Sequence, residues 1–378
     1  MPNPLPSVGH VIQYGFPYTA TALQTCRQLQ LTLAAAGARQ RAYANREGLE
    51  ELAAPQAVSS LPPVPGWIKW AGVWGADLAI LGQGERWREE EALVVYDPGH
   101  LPAVRSHRWI VAVIAGPHWT AGSRRVRDRF RRFLNQLAWR RSACVAVSET
   151  RWLRTFGLDA RSGEFRFRSV RPGIWHIPPF VDGELFRPGR QAARFQALNP
   201  VLFLGEMSRG SGFYLAAETF RLFAERHGEA TFVIAGGPGR SRRVRTALSA
   251  LERPGLAGRA LLLGDLPEAA LPEVLASARM AVIPLLEERD CKIAALQAMA
   301  SGAATLSTSA GGLDDLPTIK FEPTIEGLLQ SMETVWAQAR EIGLRQSRQV
   351  MAQFSLANWE EAWLDLLRWV AGRARGEL

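Results

Sequence analysis

The residues best equipped for chemistry lie in one stretch, MAVIPLLEERDCKIAALQAMASGAATLSTSAGGLDDL, from Met280 to Leu316. Glu287, Glu288 and Asp290 crowd a short loop with Arg289 and Lys292, and Ala310, Gly311 and Gly312 form a glycine turn further on. A charged loop and a glycine turn with free amides are suited to holding a polar or anionic ligand. Two histidines stand where strands run out: His118 in VIAGPHWTAG and His100 in DPGH. No grouping of His, Cys and acids has metal-ligand spacing. The elements around the charged loop set its place. A β-branched run ends at Pro284, a helix follows from about Cys291 to Ser301, and a strand covers about Ala303 to Thr308. Strand, loop, helix and strand make a βαβ unit, and parallel sheets bind ligands in the loops at the carboxyl ends of their strands.

The same alternation runs through the chain, whose 378 residues and 47% hydrophobic content suffice for two domains. In the first half, His10 to Gly15 reads as a strand. Ala22, Cys26, Leu29, Leu33 and Ala36 recur at helical spacing, with Gly37 as the stop. Trp67 to Trp74 reads as a short helix. Asp77–Gly82, Ala92–Asp97, Trp109–Gly116 and Ala143–Ser148 are near-continuously apolar, as strands covered on both faces are. Proline and glycine between Trp175 and Pro200 suggest an exit from the first domain, with a linker near residues 183–198 and domains of 1–190 and 191–378. The second half adds strands at Val201–Gly205, Thr231–Gly236 and Ala260–Gly264. Helices are marked by Phe213 to Phe223, Val244 to Leu251 and Leu266 to Ser277. A last helix carries Trp359, Trp363, Leu366 and Val370 on one face and is expected to pack back toward the first domain. The fold class expected is α/β, two Rossmann-like doubly wound domains.

Composition narrows the function. A formal charge of +9 favours an anionic partner, carried almost wholly by arginine. Between Ser123 and Arg141, Val126, Phe130, Phe133 and Leu137 repeat at helical spacing among Arg124, Arg125, Arg127, Arg131, Arg132, Arg140 and Arg141. This amphipathic helix is either a solvated surface face or a contact for anionic lipid headgroups or a phosphorylated acceptor. Nucleic acid fits it poorly, because no aromatic platforms accompany the arginines. The three cysteines match neither a disulfide framework nor a zinc site. The chain also lacks an apolar run long enough to span a bilayer, and its start lacks the regions of a signal peptide, so a cytoplasmic protein is expected, with peripheral attachment to a membrane as the alternative. GGPG at 236–239 is not followed by the residues of a P-loop, and AVSET lacks the glycines of a nucleophile elbow.

Read together, the segments VLFLGEMSRGSGF, TFVIAGGPG, LLLGDLPEAALPEVLASARMAVIP and ALQAMASGAATLSTSAGGLDDL, with ACVAVSE and IPPFVDGELFRP before them, resemble the retaining, nucleotide-sugar-dependent glycosyltransferases of the GT-B fold, of the group 1 or family 4 type. The resemblance implies two Rossmann-like domains facing across a cleft, a nucleotide-sugar donor, no metal and no cofactor. It places Gly205, Glu206, Gly237, Asp265, Leu266, Gln297, Gly311, Gly312 and Leu313 at the donor, and Glu288 or Asp290 where a carboxylate orients the sugar. His118 stands where the family's first-domain histidine contacts that sugar. Tyr14, Gly15, Phe16, Tyr18, Arg124 and Arg125 fall on the acceptor side.

The sequence departs from that pattern where the donor diphosphate is clamped. Glu206 and Ser211 stand in place of the family's arginine and lysine, and Arg289 and Gln297 in place of its two helix-loop carboxylates. A carboxylate repels a diphosphate by about 1 kcal/mol at contact in water and by several when desolvated. Two readings follow. Either other cations, with Arg209, Lys292 and Arg240 as candidates, supply the clamp and the protein transfers sugar, or the site is degenerate and the fold binds or scaffolds a partner.

Overall fold

The structure, a computed structural model, describes residues 4–11, 20–45, 58–61, 86–96, 101–104, 106–115, 142–158, 164, 166–190, 195, 198–237, 248, 251 and 258–377. The chain forms two compact units, residues 1–179 with 357–378, and residues 180–356.

Among the described residues the first unit holds an eight-stranded sheet in the order β3-β2-β1-β4-β5-β6-β8-β7. Its strands are β1 (Val8–Val11), β2 (Gln40–Asn45), β3 (Val58–Leu61), β4 (Ala92–Val95), β5 (Ile110–Ile114), β6 (Cys144–Val147), β7 (Arg168–Arg171) and β8 (Ile174–His176). All pairs are parallel except β7 with β8. β4, β5 and β6 are buried along their whole length, which is why their sequences lack polar alternation. Helix α1 (Ala20–Ala35) turns Ala22, Cys26, Leu29 and Leu33 inward. Short helices α2 (Leu101–Val104) and α3 (Thr150–Thr155) follow. The last helix, α9 (Leu356–Arg375), belongs to this unit from Ala357 onward. It buries Trp359, Trp363, Leu366 and Val370, the face expected from their spacing. Its Glu360 Oε1 accepts hydrogen bonds from Gln28 Nε2 (3.1 Å) and Thr32 Oγ1 (2.9 Å) of α1.

The second unit holds a six-stranded sheet, order β11-β10-β9-β12-β13-β14, paired in parallel throughout. The strands are β9 (Pro200–Leu204), β10 (Thr231–Ala235), β11 (Ala260–Gly264), β12 (Met280–Ile283), β13 (Ala304–Ser307) and β14 (Ile319–Lys320). Helices α4 (Phe213–Arg226), α5 (Leu271–Ser277), α6 (Lys292–Ala300), α7 (Ile325–Trp336) and α8 (Ala339–Gln353) cover them. Phe203 meets Phe213 edge to face at 5.3 Å, and Phe220 stacks on Phe232 at 4.9 Å, so α4 is seated on the sheet by aromatic contacts. Strand order reverses between β9 and β12, which makes the loops after those strands the natural ligand crevice of the sheet.

Several elements differ from the sequence reading. The first strand starts at Val8 and is described only to Val11. β2 and β3 carry polar residues and have no counterpart in the apolar pattern; Gln40 in β2 is tolerated because Gln30 O takes its amide N–H at 2.9 Å. The segment after Pro179 packs in the second unit, with Phe180, Val181 and Phe186 buried and Val181 N donating to Phe354 O at 2.9 Å. The stretches 67–74, 77–82 and 123–141 lie outside the described residues.

His10 shows how a polar group is kept inside β1. Gln40 Oε1 faces its Nε2 at 3.1 Å and Tyr96 Oη faces its Nδ1 at 2.8 Å. Because Gln40 gives its own N–H to Gln30, its oxygen points at His10, which places the imidazole hydrogen on Nε2 and lets the Tyr96 hydroxyl donate to Nδ1. Burial pushes the His10 pKa down to about 4. The folded state therefore holds fewer protons than the unfolded chain below the ordinary histidine range, so stability is full above pH ~6.5 and falls as the pH drops toward ~4. Between pH 7.5 and 5.0 the native protein should lose about 2 kcal/mol more than a His10→Gln variant, measured on the first unit's urea transition. Equal losses would contradict the buried neutral imidazole.

Candidate functional site

The carboxyl edge of the second sheet is drawn together by glycines that leave no room for a side chain. A Cβ on Gly212 (φ +74°) would stand 1.8 Å from Pro284 O, which joins the loop after β9 to the end of β12. A Cβ on Gly236 (φ +150°) would stand 1.9 Å from Gly205 O, and one on Gly311 (φ +65°) 2.0 Å from Arg289 O. Backbone hydrogen bonds complete the edge: Met207 N to Gly237 O at 3.1 Å, Gly236 N to Gly264 O at 2.8 Å and Leu286 N to Gly210 O at 3.0 Å. Gly237 lies against the Asp265 carboxylate, whose Oδ2 would be 3.0 Å from a Cβ there. Gly205, Gly237, Asp265, the acidic loop and the glycine turn therefore share one edge.

Within it the charged residues divide by burial. Lys292, at the start of α6, is fully buried, and its Nζ lies 3.6 Å from Asp290 Oδ1, also buried. Such a pair is locked into the fold and offers no open cation. Ser211, where the resemblance expects a lysine, is turned inward: its hydroxyl donates to Glu206 O at 2.6 Å and accepts from Ser208 N at 3.2 Å, closing the first loop on itself. Arg209 is exposed. The two positions whose signs depart from the family pattern meet across the strand-order reversal, with Arg289 Nη1 2.9 Å from Glu206 Oε2. Their side chains are 39% and 58% exposed, so the pair contributes about 0.2–1 kcal/mol and orients the guanidinium more than it stabilises the fold.

The glycine turn already holds an anionic group. Gly311 and Gly312 both take left-handed backbone angles, and Gly311 N donates to Glu288 Oε2 at 3.1 Å. Lys320 anchors the far side of the turn, donating to Leu313 O, Thr318 Oγ1 and Ser307 Oγ. Leu313 itself is buried beneath the turn, and Leu266 packs against the same core. Gln297, on α6, is half-buried. Cys291 precedes α6, but burial and the neighbouring Asp290 charge push its thiol up to about 12, so it stays protonated at neutral pH.

The structure thus brings Gly205, Glu206, Arg209, Gly237, Asp265, Leu266, Glu288, Asp290, Lys292, Gln297, Gly311, Gly312 and Leu313 to the loops and helix starts of one sheet. His118, His100, Tyr14, Gly15, Phe16, Tyr18, Arg124, Arg125 and Arg240 lie outside the described residues. In the sequence Arg289 is only a departure from a pattern; its partner is 83 residues away, and no local signal reveals that contact.

These features, two α/β units with parallel sheets and a glycine-lined carboxyl edge at a strand-order reversal, define a GT-B fold. Over 97% of this chain and 99% of the other, the structure matches sucrose-phosphate synthase from Thermosynechococcus elongatus with TM-score 0.74 and 16% identity. Anabaena HepE in complex with UDP matches over 96% and 99% with TM-score 0.74 and 13% identity, and its complex with UDP-glucose with TM-score 0.71. A glycosyltransferase from Rickettsia africae matches over 97% and 98%, TM-score 0.68, 12% identity. Residues 199–338, within the second unit, match the family described as Glycosyl transferases group 1. No curated protein matches the sequence. Among the described residues no helix is long and apolar enough to cross a membrane, and no group of three His, Cys, Asp or Glu is placed to hold a metal ion.

The packing at Gly311 makes a direct prediction. Gly37 has a similar angle (φ +70°), and a Cβ there would meet nothing within 4 Å, so Gly37→Ala should cost only the left-handed strain, about 1 kcal/mol. Gly311→Ala adds a collision with Arg289 O and should lower its unit's unfolding free energy by about 3 kcal/mol or more. Equal losses in chemical unfolding would contradict the close approach.

Proposed function

We propose that the protein is a retaining glycosyltransferase that binds a nucleotide-sugar donor on the carboxyl edge of its second sheet. One observation carries this reading: on the same carboxyl edge, beside the strand-order reversal, the turn of two left-handed glycines after β13 presents an amide that already donates to a carboxylate oxygen, Gly311 N to Glu288 Oε2. An amide that accommodates a carboxylate accommodates a phosphate by the same charge-assisted bond. The match to the group 1 glycosyl transferases and the HepE complexes with UDP and UDP-glucose support a donor of that chemistry.

In this reading the diphosphate takes the Gly311–Leu313 turn and Glu288 is released to the hydroxyls of the donor sugar, with Asp290 behind it. Gln297 holds the ribose, since an amide both donates and accepts. The backbone from Gly264 to Leu266 receives the base. Transfer proceeds on the front face: the bond from the anomeric carbon to the phosphate oxygen breaks, the acceptor oxygen bonds to that carbon from the same side, and the departing phosphate oxygen takes the acceptor's proton. No separate general base is required, so negative charge grows on the leaving phosphate and must be met by donors around the turn. His118 and the Tyr14–Tyr18 segment are assigned to the sugar and the acceptor. A degenerate protein that binds or scaffolds without transfer is favoured by Glu206 and Ser211 alone.

Calorimetric titration with UDP-glucose and GDP sugars tests the assignment. Saturable binding with Kd below about 1 mM is expected for at least one donor, unchanged by EDTA, and Gln297→Leu should weaken it about tenfold through one lost hydrogen bond. No binding by any nucleotide sugar would favour the degenerate reading.

The acceptor side is proposed to include the basic stretch Ser123–Arg141, whose arginines suit anionic headgroups. Liposomes containing phosphatidylserine should float the native protein, and reversing Arg124, Arg125 and Arg132 to Glu should abolish flotation. Equal flotation of both would remove the membrane from the proposal.

A further inference from the structure

Resting on that functional reading, we infer that Arg289 is the cation that meets the donor's diphosphate, and that Glu206 holds it in position until the nucleotide arrives. The inference starts from where the guanidinium lies. Its main chain is pinned to the glycine turn, because Gly311 has no room for a Cβ beside Arg289 O (2.0 Å). Its side chain reaches to the opposite loop, where Gly210 leaves space that the guanidinium shares with the Glu287 carboxylate: a Cβ at 210 would stand 2.4 Å from Glu287 Oε2 and 2.9 Å from Arg289 Nε. One residue thus spans the strand-order reversal from the turn after β13 to the loop after β9, two positions before the left-handed N-cap Gly212 of the fourteen-residue helix α4, whose first turn carries no acid.

The state of the guanidinium fits a ligand contact better than a structural tie. Among the described residues it makes one hydrogen bond, Nη1 to Glu206 Oε2, which leaves N–H donors of the planar fork for two oxygens of a phosphate. It is 39% exposed, and Glu206 is 58% exposed, so neither is committed to the core. A monoanionic carboxylate in water yields the fork to a diphosphate, which carries more charge and more acceptor oxygens. Among the described residues the other cations on this edge are differently placed, and Lys320 is turned beneath the glycine turn onto Leu313 O, Thr318 Oγ1 and Ser307 Oγ. Lys292 is buried against Asp290 at 3.6 Å, and Arg209 is exposed at the turn of the first loop. Glu206, Glu287 and Glu288 are all exposed on this edge, so removing Arg289 takes away the cation paired with one of them and leaves three carboxylates there.

The test is UDP binding by calorimetry on the full chain. The native protein should bind UDP, and Arg289→Gln should weaken it at least tenfold, about 1.4 kcal/mol. Arg289→Lys should fall between the two, because it keeps the charge and loses the fork. Glu206→Gln should bind UDP at least as tightly as the native protein, since it removes a competing anion. An exposed arginine on α8, Arg345→Gln, is the charge control and should leave binding unchanged. A purely structural ion pair gives a different pattern, with Arg289→Gln and Glu206→Gln weakening binding alike. That pattern would overturn the inference, as would native affinity in Arg289→Gln, or a loss found in Arg209→Gln instead. If folding of Arg289→Gln is impaired, seen as a lowered unfolding midpoint, the Glu206→Gln and Arg289→Lys results decide by the same signs. Failure of the native protein to bind any nucleotide overturns the functional reading itself, and is distinguishable because it precedes every variant.

Discussion

Three glycines, Gly212, Gly236 and Gly311, hold backbone against backbone so closely that any side chain would collide with a carbonyl, and the rest of the second unit's site depends on those approaches. Each joins a loop at one strand end to the neighbouring strand's loop, so the loops after β9, β10, β12 and β13 behave as one surface. The sheet beneath supplies rigidity: its strands are parallel throughout, and aromatic contacts between α4 and β9 fix the helix start beside the first loop. A ligand on this edge meets amides and side chains whose spacing is set by packing, not by the ligand. That is the condition for preorganised charge stabilisation.

Charge on this edge is arranged by burial. Lys292 and Asp290 are taken into the fold, and Ser211 closes its own loop. Among the described residues, those that keep access to solvent include Glu206, Arg209, Asp265, Glu287, Glu288 and Arg289. Two of them already make the bonds a phosphorylated ligand would use, Glu288 on the turn amide and Glu206 on the guanidinium. In the proposed reading the protein's own carboxylates stand in for the ligand's anion, and binding would be an exchange of one anion for another. Exchange costs less than desolvating bare charges, because the amide and the guanidinium are never left without a partner.

Much of this was legible in the sequence where a pattern is local. The helix at Lys292–Ala300, the strand at Ala304–Ser307 and the tryptophan face of the last helix all follow from spacing and apolar runs, and the structure has them within a residue or two. β2, β3 and β14 were not legible: β3 and β14 are short, β2 and β3 are partly polar, and β2 is held by residues outside it, as Gln40 is by His10 and Gln30. Likewise, Glu206 and Arg289 read as two separate losses when taken one at a time. Only folding brings them within 2.9 Å and turns the losses into one ion pair. The burial of Lys292 was equally hidden, since a lysine beside an acidic loop gives no sign of which way its side chain turns.

The most direct test is a crystal structure of the full chain grown with UDP. The account requires the diphosphate on the Gly311–Gly312 turn, with Glu288 displaced from Gly311 N. Density for the nucleotide elsewhere, or none at saturating UDP with Glu288 still bound to that amide, would contradict it.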